Sequence, residues 1–291
     1  MLYSMTGFGR ASRSIAEKSI MAEVRSLNSK YTDLRFKVPN NFKEREHEFR
    51  RIITDRTERG KIDAIVEVKS LMGEEGYSIN APLFRRYFRQ ITELSEELNV
   101  PTGDIVQTIL RIPNVVSTED SELSDEEWEA IMSVVEEALD QFDNFRLTEG
   151  AALEQDLRSR IINIRELLQK VPTHEVERID RLRQRLRQNL DEFMGKENVD
   201  ENRFEQEVLF YLEKMDITEE KVRLEQHCIF FLEQLEIEGK VKGRKLSFIS
   251  QEMGREINTL GAKAYSAEIQ RLVVAMKDEL EKIKEQVANV L

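Results

Sequence analysis

In three places within the first 70 residues, apolar and polar positions alternate one by one. Met21–Val24 is the first. In Leu34–Val38, Leu34, Phe36 and Val38 face one way, and Arg35 and Lys37 the other. Ile62, Ala64, Val66 and Val68 repeat the pattern, with Asp63, Glu67 and Lys69 opposite. A period of two marks a half-buried strand. Phe42–Arg59 is charged and is followed by Gly60, which predicts a helix with a glycine stop. The predicted order is β-β-β-α-β, and Leu71–Gly76 reads as a turn or loop.

From Ala81 onward the chain reads as helical. Leu83–Leu98 predicts one helix ended before Pro101, and Asp104–Leu110 a short one ended before Pro113. Ser124–Glu127 is a capping box that opens a helix to about Phe145. Leu153, Leu157, Ile161, Ile164, Leu168 and Val171 form one stripe; after Pro172 a second holds Val176, Ile179, Leu182, Leu186, Leu190 and Phe193. Narrow apolar stripes on long charged helices fit an arm or a hairpin. Ile269, Val273, Met276, Leu280, Ile283, Val287 and Val290 form a heptad seam, able to pack within the chain or against another subunit.

The expected class is therefore α+β. A small β-rich N-terminal part with one helix spans 1–80, and a helical middle with long arm helices spans 81–200. A C-terminal helical domain spans 201–291 and packs back on the N-terminal part.

Composition agrees. Of 291 residues, 34% are charged and 40% hydrophobic, and 12 Gly with 5 Pro are too few for a many-turned all-β fold. A single cysteine, Cys228, excludes an intrachain disulfide and Cys-based zinc sites and fits a reducing cytosol. No apolar run approaches the roughly 20 residues of a membrane span, and the N-terminus lacks a signal-peptide pattern, so a cytoplasmic protein is expected.

The net charge of −12 argues against a polyanion ligand, but its distribution does not. Residues 1–60 hold 13 basic and 8 acidic residues, and residues 239–265 hold 6 and 2. Residues 117–143 hold 11 acidic residues and no basic ones. A surface built from the two chain ends suits a polyanion; uneven solvated faces of an acidic protein give the same pattern.

The candidate chemistry lies in Asp216–Lys263. There is no P-loop, zinc helix or serine nucleophile elbow, and Gly7-Phe-Gly9 reads as a bulge or tight turn rather than a phosphate loop. Asp216, Glu220, Arg223 and His227 share one polar stripe at spacings of 4, 3 and 4. Histidine suits proton transfer near neutral pH. Glu252 and Glu256, one turn apart, offer oxygen ligands to Mg²⁺ or Mn²⁺. Arg244, Lys245, Arg255 and Lys263 surround them, as phosphate oxygens would require. A surface histidine bonded to an acid and an i, i+4 lattice of Glu with Arg account for the same residues.

Longer motifs add a resemblance. Ser4–Arg10 (SMTGFGR), Glu23–Asn28 (EVRSLN), Arg59-Gly-Lys61, Gly243–Phe248 (GRKLSF) and Gln251–Lys263 (QEMGREINTLGAK) resemble the YicC/YloC family of bacterial endoribonucleases, close to its YloC-type members. Ser29, Gly254 and Ala262 depart from the family pattern. The resemblance implies a metal-dependent endoribonuclease of RNA turnover, working in the cytoplasm as a ring-like homohexamer beside other RNA-decay enzymes. On these motifs, His227, Glu252 and Glu256 are the expected catalytic residues, with His227 as general acid/base. Glu252, Glu256, Asp216 and Glu220 are the expected ligands of a divalent metal (Mn²⁺ or Mg²⁺). Arg10, Arg25, Lys30, Arg223, Arg244, Lys245, Arg255 and Lys263 are expected to bind RNA, and the heptad seam becomes a candidate oligomer contact. The competing readings are a non-catalytic oligomeric adaptor that delivers RNA to another nuclease, and a structural scaffold with no RNA role.

Overall fold

The computed structural model describes residues 1–15, 18–29, 31–70, 77–101, 103–118, 125–194 and 200–291. The loop expected at Leu71–Gly76, Ser124 of the capping box, and Lys30 lie outside these residues.

Alternation builds the sheet as expected. Strands β1 (Gly7–Ile15), β2 (Lys18–Leu27), β3 (Asp33–Lys37) and β4 (Lys61–Ser70) pair in the order β1-β2-β4-β3, with only β3–β4 parallel. The link from β3 to β4 is helix α1 (Glu46–Thr57), entered through a 3₁₀ turn. One face of the sheet buries Ala11, Ile20, Ala22, Val24, Ile62, Ala64 and Val66. Phe42, Phe49 and Ile53 join them in one core. The other face leaves Phe8, Arg10, Arg25, Arg35 and Lys37 exposed.

Helix α4 (Asp125–Met194) covers the buried face and runs on for 70 residues, about 105 Å at 1.5 Å per residue. Three stretches of it meet three partners. Ile131, Val134, Val135, Ala138, Leu139 and Phe142 pack on the sheet. Leu157, Ile161, Ile164, Leu168 and Val171 enter a second core, made with the C-terminal helices. Beyond Pro172, among the residues of α4 whose burial is described, only Arg178 and Leu182 are buried.

Two expectations need correcting here. The chain does not break at Pro172 but stays helical through it. An internal proline removes one hydrogen bond and crowds the preceding turn, at roughly 3 kcal/mol. Here the ring is exposed, while buried Val171 and Arg178 hold the helix on either side. The stretch after Ala81 is also not wholly helical. After α2 (Ala81–Leu98) and α3 (Ile105–Leu110), Val116–Thr118 forms β6 and pairs antiparallel with β5 (Tyr77–Ile79).

The C-terminal helices are α5 (Glu201–Lys214), α6 (Thr218–Glu236), α7 (Gly243–Ala264) and α8 (Ala267–Val287). All seven heptad-seam residues, Ile269 to Val290, are at most 3% exposed within this one chain. The seam is therefore an internal packing surface and not an oligomer contact. It packs α8 on α4 and α7.

Gly7 and Gly9 also sit differently from expectation. They lie inside β1, not in a turn, and face α4. A Cβ on Gly9 would stand 1.9 Å from the Ala138 carbonyl, and one on Gly7 2.4 Å from the Phe142 ring. Small residues at Gly9, Ala11, Ala22 and Ala64 are what let the helix come this close.

The two halves are tied where residues 2–6 cross α4. The Ser4 N–H donates to the Arg146 carbonyl (3.1 Å), and Arg146 Nε donates back to the Ser4 carbonyl (2.6 Å). Gly150, one turn on, admits the Leu2 carbonyl to 2.0 Å from where its Cβ would be. Ser4 bridges Val290: Met5 N–H donates to Asn289 (2.8 Å) and Leu291 N–H to Tyr3 (2.9 Å). From the sheet side, the Ser26 hydroxyl reaches Met5 (2.7 Å), the Asn28 amide Ala288 (2.7 Å) and Arg59 Val290 (3.1 Å). The Leu291 carbonyl accepts from Lys242 and Gly243, 2.7 Å each, at the start of α7.

Three substitutions probe these constraints. Gly9→Ala meets backbone that no rotamer relieves, so it should cost about 3 kcal/mol or more. Gly103→Ala, at φ +58° with nothing within 4 Å, should cost about 1 kcal/mol. Arg146→Met strands the Ser4 and Thr57 carbonyls and should cost about 2–4 kcal/mol. Denaturant midpoints of the three variants check the order.

Candidate active site

The α6–α7 hairpin carries the predicted chemistry. On α6, Glu220, Arg223, His227 and Phe230 recur every three or four residues and share one side. On α7, Lys245, Glu252, Glu256 and Lys263 are spaced 7, 4 and 7, within a strip about 40° wide. Two contacts join the strips. Lys263 Nζ donates to Glu220 Oε1 at 2.7 Å, and Lys245 Nζ stands 5.2 Å from the Phe230 ring centroid. The strips therefore line opposite sides of one seam. His227 lies between these contacts, level with the middle of α7, where Glu252 and Glu256 stand. All three are half-buried, as groups on the rim of a helix pair should be.

The other two predicted ligands are engaged otherwise. Asp216 accepts from the Thr218 N–H (2.9 Å) at the start of α6, and its hydrogen bonds with Thr218 hold the carboxyl below its usual range. Glu220 is 5% exposed, and its partner Lys263 is raised above the ordinary lysine range chiefly by their hydrogen bond. The ammonium does for Glu220 what a metal would do, although Oε2 stays buried without a partner. Among the described residues, no three His, Cys, Asp or Glu groups are gathered to hold a metal. What is left is the Glu252–Glu256 pair. Glu252 meets Arg255 at 2.8 Å, but Arg255 is 74% exposed, so that ion pair is weak and displaceable. Two carboxylates suit an ion that keeps water and substrate phosphates as its remaining ligands, as Mg²⁺ does.

The predicted RNA-binding residues divide. Arg244 and Lys245 are exposed at the start of α7, and Arg244 has no ion-pair partner among the described residues. Arg223 is paired with Glu219 on its own helix. Arg10 and Arg25 lie on the outer face of the sheet, Arg25 2.7 Å from Glu23 and 5.4 Å from the Phe8 ring centroid. Much of the remaining basic N-terminal stretch is spent internally. Arg13 meets Glu137, Lys18 meets Glu127, and Arg56 meets Asp140 and Asp143. The acidic start of α4 thus neutralises these three cations, which the sequence leaves open to a polyanion.

Cys228 lies in the core behind the seam. Burial pushes its thiol up to about 12, so it supplies no nucleophile. Reasoning from the sequence missed the cations of the arm, Arg178, Arg185 and Lys214. Their only signal is the spacing of 3 and 4 through Arg178, Arg181 and Arg185, in a helix dense with charge.

Two outcomes test this geometry. Lys263→Met leaves the Glu220 carboxylate buried and alone, and should cost about 1–3 kcal/mol, a full buried pair being discounted for the lysine's exposure. Glu220→Gln in that background should restore part of it. Because Lys263 is raised in the folded state, its contribution is present below pH 10.5, its ordinary value, and is lost as pH rises through the folded value. Stability curves from pH 7 to 11 should show that loss in wild type and not in Lys263→Met. Separately, Cys228 should resist alkylation at pH 8 in the native protein and react at the rate of unfolding.

Comparison with known proteins adds two matches to family models. "Endoribonuclease YicC-like, N-terminal region" matches residues 2–155, and "Endoribonuclease YicC-like, C-terminal" matches residues 171–291. A Clostridioides difficile protein described as "Probable endoribonuclease YicC" is 31% identical over 295 residues, covering all of both chains. A Haemophilus influenzae protein of the same description is 29% identical over 293 residues, again covering all of both.

Proposed function

The chain belongs to the YicC-like endoribonuclease family, and from that premise we propose that it cuts RNA phosphodiester bonds, in RNA turnover, at the α6–α7 seam. The observation that carries this reading is the placing of His227 across the seam from Glu252 and Glu256, between the cations Lys245 and Lys263. His227 takes up or delivers the proton at the attacking or leaving oxygen. Arg244, Lys245 and Arg255 hold phosphate oxygens, and Lys263, committed to Glu220, sets the potential at that end of the seam. A divalent ion on Glu252 and Glu256, when bound, supplies charge stabilisation to the phosphate.

We further propose that the protein works as a ring-like homo-oligomer. Support comes from α2, which is amphipathic yet has no buried residue and leaves Leu94 and Leu98 exposed at 53% and 65%. A second copy of the chain would cover those leucines, and no helix among the described residues is long and apolar enough to cross a membrane.

The test is cleavage of a labelled structured RNA by highly purified protein. EDTA should abolish cutting, and Mg²⁺ or Mn²⁺ should restore it. His227→Ala should slow cutting by roughly 10²–10⁴-fold. Glu252→Gln should abolish it while RNA binding survives. Cutting by Glu252→Gln at the wild-type rate would sink the carboxylate site, and tight binding without cutting in any metal would favour the adaptor.

A further inference from the structure

At the root of the arm, the second half of α4, α5 and the turn from α7 into α8 enclose a cavity of about 260 Å³. Arg178, Arg181, Arg185 and Lys214 line it, with the rings of Tyr211 and Tyr265, and no Asp or Glu is among its lining residues. Arg181 is balanced by Glu177 (3.1 Å) and Glu268 (3.2 Å). Arg185 and Lys214 have no ion-pair partner among the described residues. Arg178 is only 7% exposed. It donates to the carbonyls of Ala264 (3.1 Å) and Met215 (3.0 Å), and its Nε is buried without a partner. Four cations around one hollow repel one another, and a guanidinium buried on carbonyls alone, with Glu175 and Asp216 near it but not bonded to it, is costly. An anion in the cavity relieves both.

Tyr265 adds a second sign. It caps α7 in the left-handed conformation, φ 44°, a position that glycine or asparagine normally takes. An aromatic residue is strained there, yet its ring stands 67% exposed beside the cavity. Cations with exposed rings match a phosphate that has a base next to it. Volume limits the ligand: about 260 Å³ falls below the ~300 Å³ of the smallest usual ligand pockets, so the cavity takes one nucleotide unit.

We propose that this cavity is an anchoring subsite for RNA, holding one backbone phosphate on Arg178, Arg185 and Lys214 and one base against Tyr265. The RNA source rests on the nuclease reading above; the anion chemistry does not. A strand held here touches both the arm and the α7–α8 turn, so binding braces one against the other.

The test is fluorescence anisotropy of the full-length protein with a 2′-O-methyl oligonucleotide in EDTA, where cutting is silent. The double variant Arg185→Glu with Lys214→Glu should raise Kd at least 10-fold and lower the salt slope by about 1.4, the value for two phosphate contacts on a single strand. Tyr265→Ala should raise Kd by about 10-fold with the slope unchanged, the mark of lost stacking. A charge-matched control, Lys170→Glu with Lys277→Glu, lines no part of the cavity and should shift Kd less than threefold. Equal losses in the two double variants, or none in either, overturn the proposal. Competition by 5′-AMP or inorganic phosphate at the oligonucleotide's own concentration overturns the RNA source and makes this a free-nucleotide site. A dead nuclease with an intact cavity still passes, and an active nuclease that fails here refutes only this subsite.

Discussion

Arg146 keeps a guanidinium inside the protein, 1% exposed and stacked 5.1 Å from the Phe142 ring centroid. Burial pushes it below the usual guanidinium range. What it gains is two carbonyls, Ser4 and Thr57, from opposite sides of a junction. Residues 2–6 can lie across α4 only because Gly150 is bare, and Val290 can bridge Ser4 only because residues 2–6 are held there. Take the crossing away, and the sheet and the C-terminal helices are joined by little more than α4 itself. A buried charge of this kind adds little net stability, but leaving its partners unmade is expensive. That asymmetry fixes a single docking geometry. It also accounts for Ser4, Met5, Arg59 and Gly243 as parts of one joint.

From that joint, α4 acts as a spine read in three registers. Its first stretch faces small side chains of the sheet, its middle faces α6 and α8, and its last is mostly solvated. The change at Pro172 is physical. Before it, Val171 is still in a core; after it, the burial that stabilises most helices is gone. Arg178 and Leu182 are what remains, and they sit where the arm meets the α7–α8 turn. The arm's attachment and the cationic cavity are thus the same place.

The strands were legible because a period of two survives any tertiary arrangement, and the same holds for the α8 seam. Which partner the seam meets was not legible, since a heptad states only that a face is covered. Pro172 misled because a local rule lost to packing on both sides of it. Gly7 and Gly9 misled because glycine marks both turns and close approaches, and only the neighbour tells them apart. At the candidate site, the spacing of His227, Glu252 and Glu256 gave their faces correctly, but only the hairpin sets those faces opposite. Glu220 and Lys263 lie 43 residues apart, so their pairing could not be read from either helix. Arg178 hides for the opposite reason: in an arm of alternating charges, a buried cation looks like the exposed ones.

Charge shows how the parts combine. A net of −12 should repel RNA, and screening within about 10 Å at 0.1 M salt decides how far that matters. The acidic start of α4 is spent on Arg13, Lys18, Arg45 and Arg56, so its field is largely closed before it reaches solvent. Among the cations without an ion-pair partner in the described residues, Arg244 and Lys245 stand where α7 begins, Arg185 and Lys214 at the arm root, and Arg10, Arg35 and Lys37 on the outer face of the sheet. On the proposals made above, the seam and the arm root would hold a strand at two points of an acidic body that repels it elsewhere. Such a surface favours a strand that bridges both points over one that merely touches either. On those proposals, selectivity for length and path would follow from where the cations are left over, without any reading of bases.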